Sequence, residues 1–349
     1  MTAADLFSKG DAETWRFRVI RRAGSEFLLL PRRTNAAITG LSLYPAQTLK
    51  ARLLRGACAL LLRAGLPRAA ATLRIAKNDP LREFLAQLGG VAEPAILAGN
   101  PNAPGQRFVI VPFDNAGHPI CVIKAGRGDL SAARIEQESR FLHSAPSATG
   151  IPKLLGSVNA GDLRALATPF IFGTSPTESH DRLLRPTLDR WIDTTRTVRV
   201  AEMPVWRRLQ FGGSATTAGR LADSAIHPAI IHGDFAPWNA RVGNDGHMYA
   251  FDWENGELCG LPGWDWIHYV ASRAVLVHRS TPEAIADEVA SLVESADFLA
   301  HLGIARVEGI GRAIALACLQ HIVHVARPTE GLEHFSAILH SLTNRWPRA

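Results

Sequence analysis

The sequence predicts an α+β protein, with β-rich segments in its first half and helices in most of its second half. Two β-rich runs, residues 107–114 and 119–124, flank the turn signal of residues 115–118 and indicate a hairpin. From residue 182 onwards, helix start and stop signals and helical spacing of apolar residues dominate. With 349 residues, the chain is long enough for two lobes and an extra segment.

The extra segment is the predicted N-terminal extension of α/β character, residues 1–92. Residues 15–21 and 27–30 are typical of a hairpin. Helices are expected over residues 45–64 and 80–88, each with a proline at its start and a glycine after its end. The first of them has an apolar face made of Leu49, Leu53, Ala57, Leu60 and Ala64. We expect this extension to pack on the β-rich lobe, and docking of a partner is the alternative.

Lys124 ends the second β-rich run in a Val-Ile-Lys context. A lysine in this position can bring its charge to nucleotide phosphates and pair with a glutamate on the next helix. That helix is predicted over residues 129–143, with Asp129 as N-cap, and it offers Glu136 and Glu138. Because the two glutamates are two residues apart, they point to different faces, and spacing leaves both open.

The segment His232-Gly-Asp-Phe-Ala-Pro-Trp-Asn239 and Asp252 carry the chemistry, and each follows an apolar strand. Phosphoryl transfer needs a carboxylate to accept the proton of the acceptor hydroxyl, and oxygen ligands that hold magnesium against the phosphates. Asp234 and Asn239 have the five-residue spacing of kinase catalytic loops. Asp252 closes a predicted hairpin around the turn of residues 243–246. The pattern predicts a small-molecule kinase.

Helices are expected around this segment on both sides. Their predicted ranges are residues 182–199, 204–210, 264–278, 306–326 and 332–342, with a further helix starting at Thr281-Pro282-Glu283.

These motifs resemble the aminoglycoside phosphotransferase and choline kinase-like superfamily, which has His-Gly-Asp and Asp-Trp-Glu where protein kinases have His-Arg-Asp and Asp-Phe-Gly. The resemblance extends from about residue 93 to the C-terminus. It implies a bilobal protein-kinase-like fold, with residues 93–172 as a nucleotide-binding N-lobe, an antiparallel sheet with one helix. Residues 173–349 would form a mostly helical C-lobe with the acceptor site. It also implies an enzyme that transfers phosphate from ATP, with GTP as the alternative donor, to an alcohol group with the help of Mg²⁺.

The resemblance implies roles for five residues of the second half. Asp234 is the expected catalytic base, and Asn239 and Asp252 are the expected magnesium ligands. His232 would brace the loop rather than react. Asp265, in a Pro-Gly-Trp-Asp context that departs slightly from the family pattern, would anchor the loop backbone.

In the first half, the resemblance implies that Lys124 binds the nucleotide phosphates. It selects Glu138 as the partner, because the family glutamate stands just before a pair such as Phe141-Leu142. Thr168 and Phe170 would lie near the adenine. A phosphate-covering turn is expected at residues 99–105, although it lacks the Gly-x-Gly-x-x-Gly pattern.

Composition and charge limit the kinds of partner that this chain is expected to bind. The net charge of +6 is modest and dispersed, and no nucleic-acid module is present, so no nucleic acid is expected. No run approaches the roughly 20 apolar residues of a membrane span, and the N-terminus lacks a secretory pattern. Four scattered cysteines favour reduced thiols and a cytoplasmic location. The oligomeric state stays open.

The acceptor is expected to be a sugar, a nucleoside or an amino alcohol rather than an aminoglycoside antibiotic. Polycationic antibiotics need a carboxylate-rich cleft, yet residues 334–349 contain no acidic residue and arginines outnumber acids in residues 182–220. A nucleotide-binding regulatory pseudokinase is the alternative function, and Lys124, Asp234, Asn239 and Asp252 disfavour it by being intact.

Overall fold

The structure, a computed structural model, divides into two compact units. It describes residues 2–22, 24–44, 46, 48–66, 70–90, 93–99, 105–209, 221–303, 309–328 and 330–346. Unit 1 comprises Met1–Ser144 and Pro152–Phe172, and unit 2 comprises Ala145–Ile151 and Gly173–Ala349. None of the helices in the described part combines the length and the hydropathy needed to cross a bilayer.

Unit 1 is built on one eight-stranded antiparallel sheet. Its strands are β1 (Lys9–Arg22), β2 (Ser25–Pro31), β3 (Ala71–Ile75), β4 (Ala95–Ala98), β5 (Phe108–Val111), β6 (Cys121–Arg127), β7 (Gly156–Ala160) and β8 (Leu163–Pro169), in the order β3-β1-β2-β4-β5-β6-β8-β7. The predicted hairpin of β5 and β6 is confirmed, and the amide of Asp114 donates to the carbonyl of His118 at 3.0 Å across the connection.

The helices of unit 1 cover both faces of this sheet. They are α1 (Thr34–Gly40), α2 (Leu49–Arg63), α3 (Pro80–Gln87) and α4 (Asp129–Ser144). Because neighbouring residues of a strand point to opposite faces, Leu29 packs in one core with Phe84 of α3, while Leu30 packs in another core with Leu62 of α2. The sheet therefore has an apolar layer on each side.

Helix boundaries in unit 1 follow the predicted capping signals with small corrections. The carboxylate of Asp79 accepts the amide of Arg82 at 2.7 Å, as expected for the N-cap of α3. Helix α2 begins at Leu49 with Thr48 as its N-cap, and the predicted start at Pro45 lies outside the described residues. Asp129 is the first residue of α4 rather than the residue before it.

Unit 2 is mostly helical. Its α-helices are α5 (Leu184–Asp189), α6 (Pro204–Arg208), α7 (Trp264–Arg273), α8 (Pro282–Glu294), α9 (Ala296–Leu302), α10 (Ile310–His321) and α11 (Leu332–Arg345). Helices α7 and α10 continue as π-helical turns over Ala274–His278 and Ile322–Ala326. The hydroxyl of Thr281 accepts the amide of Ala284 at 3.3 Å, which confirms the predicted start of α8. The predicted α+β class is thus confirmed.

Short strands of unit 2 support the candidate site. β9 (Gly173–Thr174), β13 (Ala240–Gly243) and β14 (Met248–Ala250) form a three-stranded sheet, and β12 (Ala229–Ile231) pairs with β15 (Glu257–Gly260). β10 (Val198–Arg199) pairs with β11 (Ala225–Ile226).

The single helix predicted over residues 182–199 is wrong. After a 3₁₀ turn at Glu178–Leu183, α5 ends at Asp189. The carboxylate of Asp193 accepts the amide of Thr195 at 3.1 Å, a local bond that competes with helical hydrogen bonding. The amide of Asp193 itself donates to the carbonyl of Pro228 at 2.8 Å, so the chain leaves the helix to join the edge of β12.

Candidate active site

The segment from His232 to Asn239 is a tight loop between β12 and a 3₁₀ turn at Pro237–Asn239. Gly233 has φ +79°, and a Cβ there would lie 2.7 Å from the carbonyl oxygen of Asn255. Only glycine fits this position without moving the neighbouring turn.

Asp265, in the first turn of α7, holds the loop by its backbone. Its two carboxylate oxygens accept the amides of His232 at 2.6 Å and of Gly233 at 3.0 Å. Only 3% of the residue is exposed. Burial raises the pKa of Asp265 to about 7, although the two amide hydrogen bonds oppose the rise. The position expected to anchor the loop is therefore in contact with it.

His232 joins the loop to the hairpin that follows it. Its Nε2 lies 2.6 Å from the carbonyl oxygen of Phe251, and its Nδ1 accepts the amide of Asp234 at 3.2 Å. Since a carbonyl only accepts, the hydrogen of the neutral ring lies on Nε2. The side chain is fully buried, and its ring lies 4.6 Å from that of Trp253. Both nitrogens are therefore used in bracing contacts.

Asp234 and Asn239 are joined directly. The Nδ2 of Asn239 donates to the backbone carbonyl of Asp234 at 2.9 Å and to its Oδ2 at 3.1 Å. Because Nδ2 faces these acceptors, Oδ1 is the Asn239 atom able to bind a cation. The Asp234 side chain is 43% exposed, so a carboxylate oxygen can be reached from solvent. Accessibility together with a fixed partner suits a group that must accept a proton.

Asp252 follows the hairpin of β13 and β14, in which Ala240 pairs with Ala250. The amide of Phe251 donates to the carbonyl of Asn239 at 2.8 Å, so Asn239 and Asp252 leave the same end of the hairpin. Asp252 has φ +69° and ψ +54°, a left-handed conformation that costs a non-glycine residue about 1 kcal/mol or more. Such strain is concentrated at functional sites.

A magnesium ion fits this donor set. Mg²⁺ keeps several waters and is bound by one or two carboxylates together with substrate phosphates, rather than by a cage of protein ligands. The described residues contain no group of three His, Cys, Asp or Glu side chains arranged for a metal. One amide oxygen and one carboxylate, from Asn239 and Asp252, match the sparser pattern expected when phosphates complete the shell.

His268 is a site neighbour that the sequence analysis missed. Its Nε2 lies 3.7 Å from Oδ1 of Asp234, and its Nδ1 lies 3.0 Å from the carbonyl oxygen of Phe235. The carbonyl fixes a hydrogen on Nδ1, so Nε2 is the atom that faces the carboxylate. His268 lies three residues after Asp265 on α7, which puts both on one helix face. That spacing was the signal available in the sequence.

Unit 1 contains the predicted lysine and glutamate as a buried ion pair. The Nζ of Lys124 donates to both carboxylate oxygens of Glu138, at 2.8 and 2.6 Å. Glu136, the other candidate, instead accepts from the guanidinium of Arg164. The helix α4 thus resolves the choice that spacing alone left open, because only Glu138 faces β6.

Thr168 and Phe170 stand at the end of β8 in unit 1. Thr168 is buried and pairs with Val122 of β6. Phe170 packs against the core of Leu30 and Phe113, and its ring centroid is 5.0 Å from that of Phe172. In the predicted phosphate-covering turn, residues 100–104 lie outside the described residues.

Solved structures similar to this chain are described as phosphotransferases and kinases of small molecules. A thermostable mutant of an aminoglycoside phosphotransferase, in ternary complex with ADP and hygromycin B, is 12% identical with a TM-score of 0.46; the match covers 75% of this chain and 97% of that one. A putative fructosamine-3-kinase from Haemophilus somnus 129PT is 10% identical with a TM-score of 0.43, covering 75% and 96%. An ethanolamine kinase of Plasmodium vivax is 10% identical with a TM-score of 0.44, covering 73% and 83%.

No protein-family model matches this chain, and no curated protein matches it.

Proposed function

We propose that this protein is a kinase that transfers the γ-phosphoryl group of ATP to a hydroxyl of a small molecule, with magnesium as cofactor. The observation that carries the proposal is the linkage of three residues with oxygen-bearing side chains in unit 2. Asn239 is hydrogen bonded to Asp234, and the same Asn239 backbone is bonded to the residue before Asp252. A base and two magnesium ligands are the groups that phosphoryl transfer requires.

In the proposed mechanism, Asp234 orients the acceptor hydroxyl and takes its proton as the acceptor oxygen bonds to the γ-phosphorus. The bond between that phosphorus and the β–γ bridging oxygen breaks, and ADP leaves. Asn239 and Asp252 would hold Mg²⁺, which when bound neutralises charge on the phosphates. Lys124, held by Glu138, supplies a second positive charge to the nucleotide phosphates. Because the transition state is loose, most of the rate enhancement comes from positioning and electrostatic stabilisation.

Two residues position the loop on which the base lies. Asp265 fixes the amides of His232 and Gly233, and His232 ties the loop to the carbonyl that precedes Asp252. These contacts keep the base and the metal ligands at a constant spacing before substrate arrives. Such preorganisation lowers the reorganisation that the reaction step would otherwise need.

ATP is the proposed donor, and Thr168 and Phe170 are proposed to lie near its adenine. Support comes from their position at the end of β8, the strand that pairs with the strand of Lys124. The N-terminal extension of residues 1–92 is proposed to serve as a structural cap on this lobe. Pairing of β2 with β4 supports that role. A cytoplasmic location follows from the need for ATP.

The proposed acceptor is a neutral or anionic sugar, a nucleoside or an amino alcohol. The absence of acidic residues from residues 334–349 supports this choice over a polycationic antibiotic. Trp191, Trp253 and Trp264 could have stacked on a sugar ring, but all three are at most 1% exposed. They act as core residues, so the acceptor has to be recognised by other side chains.

A panel of sugars, nucleosides, amino alcohols and aminoglycosides, incubated with ATP and Mg²⁺, tests the proposal by measurement of ADP formation. We expect one non-antibiotic class to be phosphorylated, and Asp234→Asn to lower that turnover by about 10²–10⁴-fold. Asp297→Asn, at an exposed carboxylate of α9, is the matched control and should retain activity.

Three results would count against the proposal. Transfer to aminoglycosides alone would overturn the acceptor class. A magnesium-dependent rise in Tm with ATP, without transfer to any acceptor, would favour a nucleotide-binding regulator. No response to ATP in either assay would remove the kinase assignment altogether.

A further inference from the structure

Helix α2 exposes the apolar face that its sequence would be expected to bury. Leu49, Leu53 and Leu60 are 67%, 67% and 64% exposed. The helix is attached to unit 1 by its other side, where Leu62 is 1% exposed and Cys58 and Ala59 pack against the same core. Exposure of three large apolar side chains along one side of a helix is unusual when that side faces solvent.

The three leucines form one continuous stripe. At 100° per residue, their positions fall within about 40° of one another around the helix axis. Leu54 and Leu61, 58% and 49% exposed, widen the apolar surface on one side. We call this surface the leucine face of α2.

Positive charges flank the stripe of Leu49, Leu53 and Leu60 on both sides. By helical geometry Arg52 and Arg63 lie on one side of this stripe, and Lys50 lies on the other side, between the stripe and Leu61; all three are exposed. The helix contains no acidic residue. An apolar stripe bordered by cations is the pattern of helices that lie in the interfacial region of a membrane.

The charge pattern extends well beyond the helix. Residues 27–78 contain none of the chain's 32 Asp and Glu but nine of its 38 Lys and Arg. They are Arg32, Arg33, Lys50, Arg52, Arg55, Arg63, Arg68, Arg74 and Lys77. The rest of the chain is therefore net acidic, and the overall charge of +6 hides a strongly basic segment.

The helix is also fixed in its orientation. The guanidinium of Arg18 on β1 donates to the carbonyl of Leu62 at 3.1 Å and to that of Arg32 at 2.8 Å. These bonds join the C-terminal end of α2 to the sheet and to the loop after β2. The contacts of Leu62 and Arg18 lie on the side of α2 that faces the sheet, and the leucine face is exposed on the opposite side.

We propose that the leucine face of α2 docks on the surface of a membrane rich in anionic phospholipids. The leucines would enter the boundary between headgroups and acyl chains, while Lys50, Arg52 and Arg63 contact lipid phosphates. A second copy of the chain is a poorer occupant, because it would bring these cations against their equivalents. A nucleic acid would satisfy the cations but leave the leucines in water.

Sedimentation of the full-length protein with vesicles tests this. Vesicles of phosphatidylglycerol mixed with phosphatidylcholine should carry the protein down, and vesicles of phosphatidylcholine alone should not. The triple variant Leu49→Gln/Leu53→Gln/Leu60→Gln should lower the vesicle partition coefficient by at least about tenfold. The variant Lys50→Gln/Arg52→Gln/Arg63→Gln should lower it on the order of a hundredfold and remove most of its salt dependence.

Leu299→Gln, at an exposed leucine of α9, is the matched control and should bind vesicles as the wild type does. Because the substituted side chains are exposed, Tm should stay within a few degrees of the wild type in every variant. The proposal is overturned if anionic vesicles do not bind, or if binding persists in the leucine variant. Dimerisation abolished by the leucine variant, without vesicle binding, would instead identify a second copy as the occupant. Binding to a DNA duplex with equal affinity in the wild type and the leucine variant would also overturn it.

Discussion

Each unit contains a buried carboxylate next to a predicted functional residue, and the two carboxylates are satisfied in different ways. In unit 1, both carboxylate oxygens of Glu138 accept hydrogen bonds from the ammonium of Lys124. In unit 2, Asp265 receives its contacts from the backbone amides of His232 and Gly233. Glu138 therefore fixes a positive charge, whereas Asp265 fixes the course of the chain. Replacing the first should disturb ligand binding, and replacing the second should disturb the geometry of the reaction.

Substitution of Asp252, a proposed metal ligand, should lower turnover more than substitution of Lys124 or Asp265. Asp252→Ala should lower magnesium-dependent turnover by at least about a thousandfold, because one of two protein ligands is lost. The measurement is kcat over a range of Mg²⁺ concentrations. Asp245→Ala, in the turn of the same hairpin, is the control and should leave kcat nearly unchanged. Retention of wild-type turnover by Asp252→Ala would contradict the metal assignment.

Lys124→Ala tests what the ion pair of unit 1 contributes to stability and to nucleotide binding. It removes the Lys124 ammonium from the buried Glu138, and the loss of one partner of a buried ion pair costs about 3–5 kcal/mol. Urea unfolding should detect the loss, and the KM for ATP should rise in the folded protein. The double variant Lys124→Met/Glu138→Gln should recover most of the stability without recovering the KM. If the double variant is no more stable than Lys124→Ala, the ion pair is not the cause.

Asp265→Asn tests the unit 2 side with a smaller effect. The amide nitrogen would face a backbone N–H, which leaves a buried donor without an acceptor and costs about 1–3 kcal/mol. We expect kcat to fall while the KM for ATP changes little, the reverse of the result for Lys124. Asp287→Asn, at an exposed position of α8, serves as control. A variant that raises KM and spares kcat would remove the distinction between the two carboxylates.

The pH dependence of stability offers a second measure of Asp265. Its pKa is about 7 in the folded protein and near 3.8 without burial. Between these values the folded state holds a proton that the unfolded state has released, so this residue's contribution to stability falls as pH rises from about 4 to 7. Tm measured over that range should therefore fall more for the wild type than for Asp265→Asn. Parallel Tm profiles would show that burial does not raise this pKa.

His268→Gln should have the smallest effect. His268 faces Asp234 at 3.7 Å and acts as a positioning residue, so we expect kcat to fall by about tenfold or less. A structural role alone would lower Tm without changing the pH profile of kcat. A shift of the acidic limb of that profile would show that the imidazole interacts with the base. An unchanged profile would place His268 among the packing residues.

Local sequence motifs predicted more of this structure than the apolar faces of its helices did. The spacing of Asp234, Asn239 and Asp252 was enough to predict a loop followed by a hairpin, because strand ends and turn residues are encoded over a few positions. The leucine stripe of α2 was correctly recognised as one face. Its exposure could not be predicted, since periodicity identifies an apolar side but not what covers it.

Other differences arise from contacts distant in sequence. Helix α5 stops at Asp189 because the chain turns away to pair with β12, a partner about forty residues later. The left-handed backbone of Asp252 is likewise imposed by its surroundings, because aspartate has no intrinsic preference strong enough to require it. The contact of His268 with Asp234 depends on where α7 packs.

The close approach of Gly233 to the carbonyl of Asn255 constrains which residues homologues can carry at this position. Any side chain at this position would meet the carbonyl of Asn255, so the glycine and the turn of Trp253–Asn255 form one steric unit. Homologues that carry a larger residue at 233 should also have a remodelled turn, and the two changes should appear together in an alignment. A single substitution therefore cannot place a charged side chain at position 233, next to the proposed catalytic base Asp234.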